Sequence, residues 1–267
     1  MRRLFDLTVV TIWVLSLAGL VWHDLRPTWT AGAPPTLVPS GGVNEPVLMQ
    51  FAIEAQRWGR LGQSWAEFWR TDTGAMARST TLLESGPLHR PIRVDSHLSF
   101  GPKDHLDELK VWVYGLPATV QVEAASYGED FPCIIKVGQE RHEFTLRQEM
   151  ASAIAEVFRP FVYLKGLHVG QTWRIASINP LGSLWGESPA PQAIVAKVVG
   201  RETIDHLGRP TECFRVETES AAAWVDDEGR VLLQQVDVPV LGKVSIRLQD
   251  GFDEKALQKA QEKVGRW

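Results

Sequence analysis

The sequence predicts a mainly β protein, an antiparallel meander held behind one N-terminal transmembrane helix and closed by a C-terminal helix. Three observations predict it. Leu4 and Trp22 bound a nearly uninterrupted apolar run, close to the ~20 residues that a helix needs to cross the hydrocarbon core. Beyond residue 46, short runs of alternating apolar and polar residues succeed one another, with Gly or Pro between them, which is strand periodicity at meander spacing. Only two stretches, starting near Thr145 and Asp253, carry helical periodicity.

Arg2 and Arg3 precede the apolar run, and Asp6 is its only charge. The positive-inside rule then keeps the N-terminus in the cytoplasm and places the rest of the chain outside. A cleaved signal peptide is the rival reading. Ser16-Leu17-Ala18 fits a small-residue cleavage site, but Leu20, Val21 and Trp22 continue the apolar run past it. An uncleaved signal-anchor over 1–24 is therefore expected. Pro27, Pro34, Pro35, Pro39 and Gly41-Gly42 make 25–45 an extended tether.

The folded part is expected over 46–251. Val47, Met49, Phe51, Ile53 and Ala55 alternate with a second set of side chains, as in a strand with one buried face. A glycine-bearing turn at Gly59 and Gly62 leads to a strand through Trp65 and Trp69, and Asp72-Thr73-Gly74 turns again. Further strands are expected at 75–83, 92–100, 106–114, 119–127, 131–137 and 141–144. Thr145 with Gln148 forms a capping-box pattern. Leu146, Met150, Ile154 and Val157 then share a helical face, and Pro160 stops it, so an internal helix is expected over 145–158. Strands resume at 172–178, 193–203 and 212–218, with a hairpin at Asp205-His206-Leu207-Gly208. Trp224 opens another hairpin through Asp227-Glu228-Gly229, and 243–248 is the last strand. The tail, 252–267, is expected to be a helix capped by Asp253, stopped at Gly265 and solvated on most sides.

Two stretches resemble a family. One is Leu164-Lys165-Gly166-Leu167-His168-Val169-Gly170-Gln171-Thr172-Trp173, and the other Trp224-Val225-Asp226-Asp227-Glu228-Gly229-Arg230-Val231-Leu232. With the opening strand they resemble the extracytoplasmic half-barrel domains of the lipoprotein-localisation-factor-like superfamily. The resemblance implies a long antiparallel sheet curled around the internal helix, with an apolar concave face. It also implies a place in the bacterial envelope, here at the inner membrane, and a lipid, lipidated molecule or envelope protein as partner. A membrane tether, unlike a soluble or lipidated carrier, argues against a shuttle.

The chemistry-bearing residues point away from an enzyme. The formal net charge of -4 gives no electrostatic case for nucleic acid. Cys133 and His142 with Glu143 form the only candidate nucleophile set, but Cys133 lies in an apolar run that raises a thiol pKa. Outside the cytoplasm Cys133 and Cys213 could pair, or each could be a small buried thiol. Asp104, His105, Asp107 and Glu108 cluster in a Gly101-Pro102 turn, where a solvated turn explains them better than a metal. Glu217 and Glu219 share one strand face, which cannot place two carboxyls across a cleft. Gly182-Ser183-Leu184-Trp185-Gly186 lacks the Lys and helix start of a phosphate loop, so no cofactor is expected. Trp65, Trp69, Trp112, Trp173 and Trp185 are the candidate lining of an apolar ligand surface, or else core packing around the internal helix. The expected function is a membrane-anchored, non-catalytic binding protein for a lipid, lipidated molecule or envelope partner. The alternatives are a structural subunit of a membrane complex and, third, a cysteine-dependent enzyme.

Overall fold

The computed structural model describes residues 46–84, 90–101, 106–147, 163–177, 192–238 and 241–263. The expected membrane helix and tether lie outside these residues. Within them, no helix is long and apolar enough to cross a membrane.

Fourteen strands form one antiparallel sheet. The first meander comprises β1 (Val47–Ala55), β2 (Gly59–Thr71), β3 (Gly74–Leu83), β4 (Ile92–Phe100), β5 (Leu106–Tyr114), β6 (Val120–Ala125), β7 (Asp130–Val137) and β8 (Glu140–Arg147). The second comprises β9 (Thr172–Ser177), β10 (Gln192–His206), β11 (Arg209–Glu217), β12 (Ala221–Val225), β13 (Val231–Val238) and β14 (Gly242–Leu248). Each strand pairs with its sequence neighbours, and β1 with β14 joins the two meanders, giving the order β8 through β1 and then β14 through β9. One helix, α1 (Glu254–Lys263), succeeds β14.

The predicted strands are found, with boundaries shifted by a few residues. The internal helix expected from Thr145 does not start there. Thr145, Leu146 and Arg147 continue β8, paired with Pro132, Phe131 and Asp130. Phe131 is fully buried, and so nearly is Leu146 opposite it, so cross-strand burial outweighs the local capping pattern. The rest of that expected helix lies outside the described residues, as does Gly265.

Alternation gives the sheet two distinct faces. One is apolar. Register places Phe51, Leu98, Val111, Val122, Phe131 and Ile135 on it, in a single cluster running from β1 to β8. Each such fully buried side chain contributes about 2 kcal/mol of hydrophobic stabilisation. The same face continues across β14 through Ile246 and Val244. It ends in a second cluster of Trp173, Ala196, Val198, Val216, Val225 and Val231. The opposite face carries most of the charges and α1. β1 departs from the simple alternation expected of it, because both its faces are buried at the centre. Met49, Phe51 and Ile53 face the apolar cluster, while Gln50 on the other side receives the Asp253 N–H, 2.8 Å away, where the chain enters α1.

α1 is capped as the sequence predicts: Asp253 Oδ1 accepts from Ala256 N–H at 2.9 Å. As expected, the helix is exposed on most sides, and one narrow face docks onto the sheet. Ala256, Leu257 and Ala260 pack with Phe252 onto Trp65, Leu82 and Tyr114. Arg93 donates to the Gln261 carbonyl and Lys263 to Glu84. Small alanines let the helix approach a sheet whose large side chains supply the contact.

Candidate functional site

Two features of the sheet offer themselves: the apolar face, and a polar cleft between α1 and the strands beneath it. On the apolar face several side chains of β2 and β3 are small. Ser64 and Ala66 stand opposite Thr81 and Ser79, between the larger pairs Gly62–Leu83 and Phe68–Ala77. Their hydroxyls satisfy one another: Ser64 Oγ lies 2.5 Å from Thr81 Oγ1, and Ser79 Oγ 2.6 Å from Ser96 Oγ. A buried hydroxyl without such a partner costs free energy, so this pairing keeps the patch compatible with apolar surroundings. β2 and β3 approach so closely at Gly62 that a Cβ there would lie 1.9 Å from the Leu82 carbonyl oxygen.

The two stretches that carry the family resemblance meet on this face. Leu164 N–H donates to the Gly229 carbonyl at 2.7 Å, and Tyr163 bridges to Arg230. Leu164 and Leu167 pack on Trp173, Val225 and Val231. The hairpin that receives them is held by Asp226, a buried carboxylate. Its Oδ1 accepts from Arg230 N–H and its Oδ2 from Arg230 Nε, each at 2.7 Å. Burial pushes the Tyr163 hydroxyl pKa up, with Asp226 and Glu228 adding to it against Arg230. The motif residues therefore fasten the crossing segment 163–171 to the sheet, a structural task.

Of the tryptophans expected to line a ligand surface, three share one sheet face and Trp173 lies on the other. Trp65, Trp69 and Trp112 project from the helix-bearing face, since Trp65 pairs with Thr80 and Trp112 with Asp95 in register. Trp65 is covered by α1, Trp69 carries the Arg78 guanidinium 5.1 Å from its ring, and Trp112 meets His97 edge-on at 5.3 Å. Trp173 points to the apolar face and is buried under Leu164 and Leu167. Trp185 lies outside the described residues. Only strand parity separates these groups, and parity depends on a register that the sequence does not print.

The cleft lies beside α1, over β2, β3 and β4, with a volume of about 230 Å³. Arg93 is almost fully buried in it, its Nε 3.2 Å from Asp95, its guanidinium 4.4 Å from the Tyr114 ring. Asp95 also accepts from Thr80 Oγ1 at 3.1 Å. His97 is held below its ordinary pKa, first by burial and then by Arg78. Composition gives no hint of this site, because its residues come from three strands and a helix far apart in sequence.

The cysteines are free and buried, Cys133 on the apolar face of β7 and Cys213 on the opposite face of β11, so no disulfide joins them. Burial pushes the Cys133 thiol up to about 12. It pushes Cys213 up to about 11, with Asp226 and Asp227 adding to it. His142 sits opposite Ile135 rather than Cys133, in register with a hydrophobe. Asp104 and His105 lie outside the described residues. Among the described residues no group of three His, Cys, Asp or Glu side chains could hold a metal. Glu217 pairs with Arg215 on its own strand, as on a wet sheet face.

Comparison with family models, with curated proteins and with solved structures found no match to this chain.

Proposed function

We propose that this protein is a membrane-anchored, non-catalytic binding protein of the bacterial envelope, whose sheet curls around its apolar face to take up an acyl chain. One observation carries the reading: a single apolar face runs from β7 through β1 and β14 to β9. Broad apolar interiors are where apolar ligands are held, and the side chains that line this one are buried.

One further observation supports the curl: midway along β2 and β3 the apolar face bears the small Ser64, Ala66, Ser79 and Thr81, while the other face carries Trp65, Glu67, Trp69 and Arg78. The anchor, Leu4 to Trp22, fixes the domain to the membrane that supplies the ligand.

Photo-crosslinking tests the reading. The full chain is placed in vesicles containing a phospholipid with a photoactivatable acyl chain. Crosslinked peptides should come from β1 to β5, including Met49, Phe68 and Leu98, as well as from the membrane segment. Crosslinks confined to residues 4–22 would sink the proposal. The two sheet edges, β8 and β9, each with one strand neighbour among the described residues, favour a second reading. In it the protein is a structural subunit that docks onto an envelope complex, and a specific protein adduct would replace the lipid one.

A further inference from the structure

The cleft beside α1 lies on the sheet face opposite the proposed acyl surface, so what it binds is independent of that reading. Its charges balance in number but do not all pair. Arg93 and Asp95 neutralise each other, and Thr80 takes a further bond to Asp95. Burial holds His97 below its usual pKa and so disfavours its charged form. That leaves Glu67 and Arg78. They stand directly opposite in the β2–β3 register, and both line the cleft. Opposite charges so placed ordinarily pair across the strands. Here Arg78 turns away to lie over Trp69, and among the described residues no ion pair joins it to Glu67. One carboxylate and one guanidinium therefore face the same cleft without answering each other. The Trp65 Nε1 donor, on a side chain only 2% exposed at the cleft wall, also has no hydrogen-bond partner among the described residues.

A simple anion in this cleft would meet Glu67, and a simple cation would meet Arg78. A molecule carrying both charges satisfies both groups and leaves the total unchanged. We propose that the cleft binds a small zwitterion, with its ammonium group against Glu67 and its carboxylate or phosphate against Arg78. Two sources supply such chemistry, a free amino acid and the ethanolamine phosphate of a lipid headgroup.

Calorimetric titration of the full chain in a non-ionic detergent tests this. Glycine and O-phosphoethanolamine are the probes, with ethylammonium and inorganic phosphate as singly functional controls. One zwitterion should bind saturably, at least about tenfold more tightly than either control, because a charge-assisted hydrogen bond is lost with each missing group. Glycine as the tighter ligand assigns the cleft to an amino acid, and phosphoethanolamine assigns it to a headgroup. Glu67→Gln and Arg78→Gln should each weaken binding by a similar factor, and the exchange of Glu67→Arg with Arg78→Glu should restore part of it. The proposal is overturned by no saturable heat with either zwitterion, or by controls that bind equally well. Affinity unchanged in both single variants, in protein that melts as the parent does, also overturns it.

Discussion

Gly229 shows how much one position can hold. Its φ of +88° lies in the left-handed region that a side chain disfavours. A Cβ there would also lie 3.0 Å from the Leu164 carbonyl carbon and oxygen, the backbone whose N–H bonds Gly229 itself. Gly229→Ala should therefore cost about 2–3 kcal/mol, combining backbone strain with loss of the crossing segment's seat. Urea denaturation checks the cost, and hydrogen exchange should show Leu164 and Gly170 losing protection before the sheet does. A loss below about 0.5 kcal/mol would mean that the segment is not fastened there. At this scale the sequence is legible wherever chemistry is local. The Asp227-Glu228-Gly229 turn and the apolar setting of Cys133 are plain from their neighbours. The grouping of the tryptophans is not, because Trp65 and Trp173 look alike in sequence and only register sends them to opposite faces.

Strands are legible as elements because each alternates with period two and is punctuated by glycine or proline. Two elements show how far a local signal reaches. Thr145 and Gln148 offer a local helix start, but pairing of Leu146 with Phe131 extends β8 past Thr145. The tail's wealth of Lys, Gln and Glu matches a helix exposed on most sides, but does not reveal the one face that docks. Only Ala260 is fully buried, and the sheet's Trp65 and Leu82 supply the apolar bulk that the helix lacks. That asymmetry makes the docking fragile. Ala260→Glu would place a carboxylate against Trp65, at a cost of about 2–4 kcal/mol. The helix should leave the sheet while the strands persist. Limited trypsin digestion then should trim the variant at Lys255 and Lys259, with far-ultraviolet circular dichroism retaining its β signal. Equal resistance of variant and parent would show that α1 is held by Arg93, Lys263 and its cap instead.

The whole molecule is two meanders sharing one ladder. β1 and β14 pair residues such as Phe51 and Leu248, which lie about 200 positions apart in sequence. Closing so long a loop is entropically costly, so this ladder is the least local event in the fold. The clusters reflect the same division: one core spans β1 to β8, and a separate one spans β9 to β13 with the crossing segment. Tyr163 and Leu248, which pack on the first core from the second half, reinforce the ladder. Ser245 sits in β14 between Glu54 of β1 and Gln235 of β13. Ser245→Pro introduces a ring and removes a donor in a central strand, at a cost of about 3 kcal/mol or more. Two outcomes distinguish a sheet that is one cooperative unit from one that is two units joined. If the ladder is what couples them, the parent should unfold in one transition and the variant in two, with amides of β3 to β7 and of β10 to β12 exchanging at separate denaturant concentrations. A single coincident transition in the variant would place the coupling elsewhere, in the crossing segment and α1. Two transitions already present in the parent would mean that the meanders are independent despite sharing a sheet.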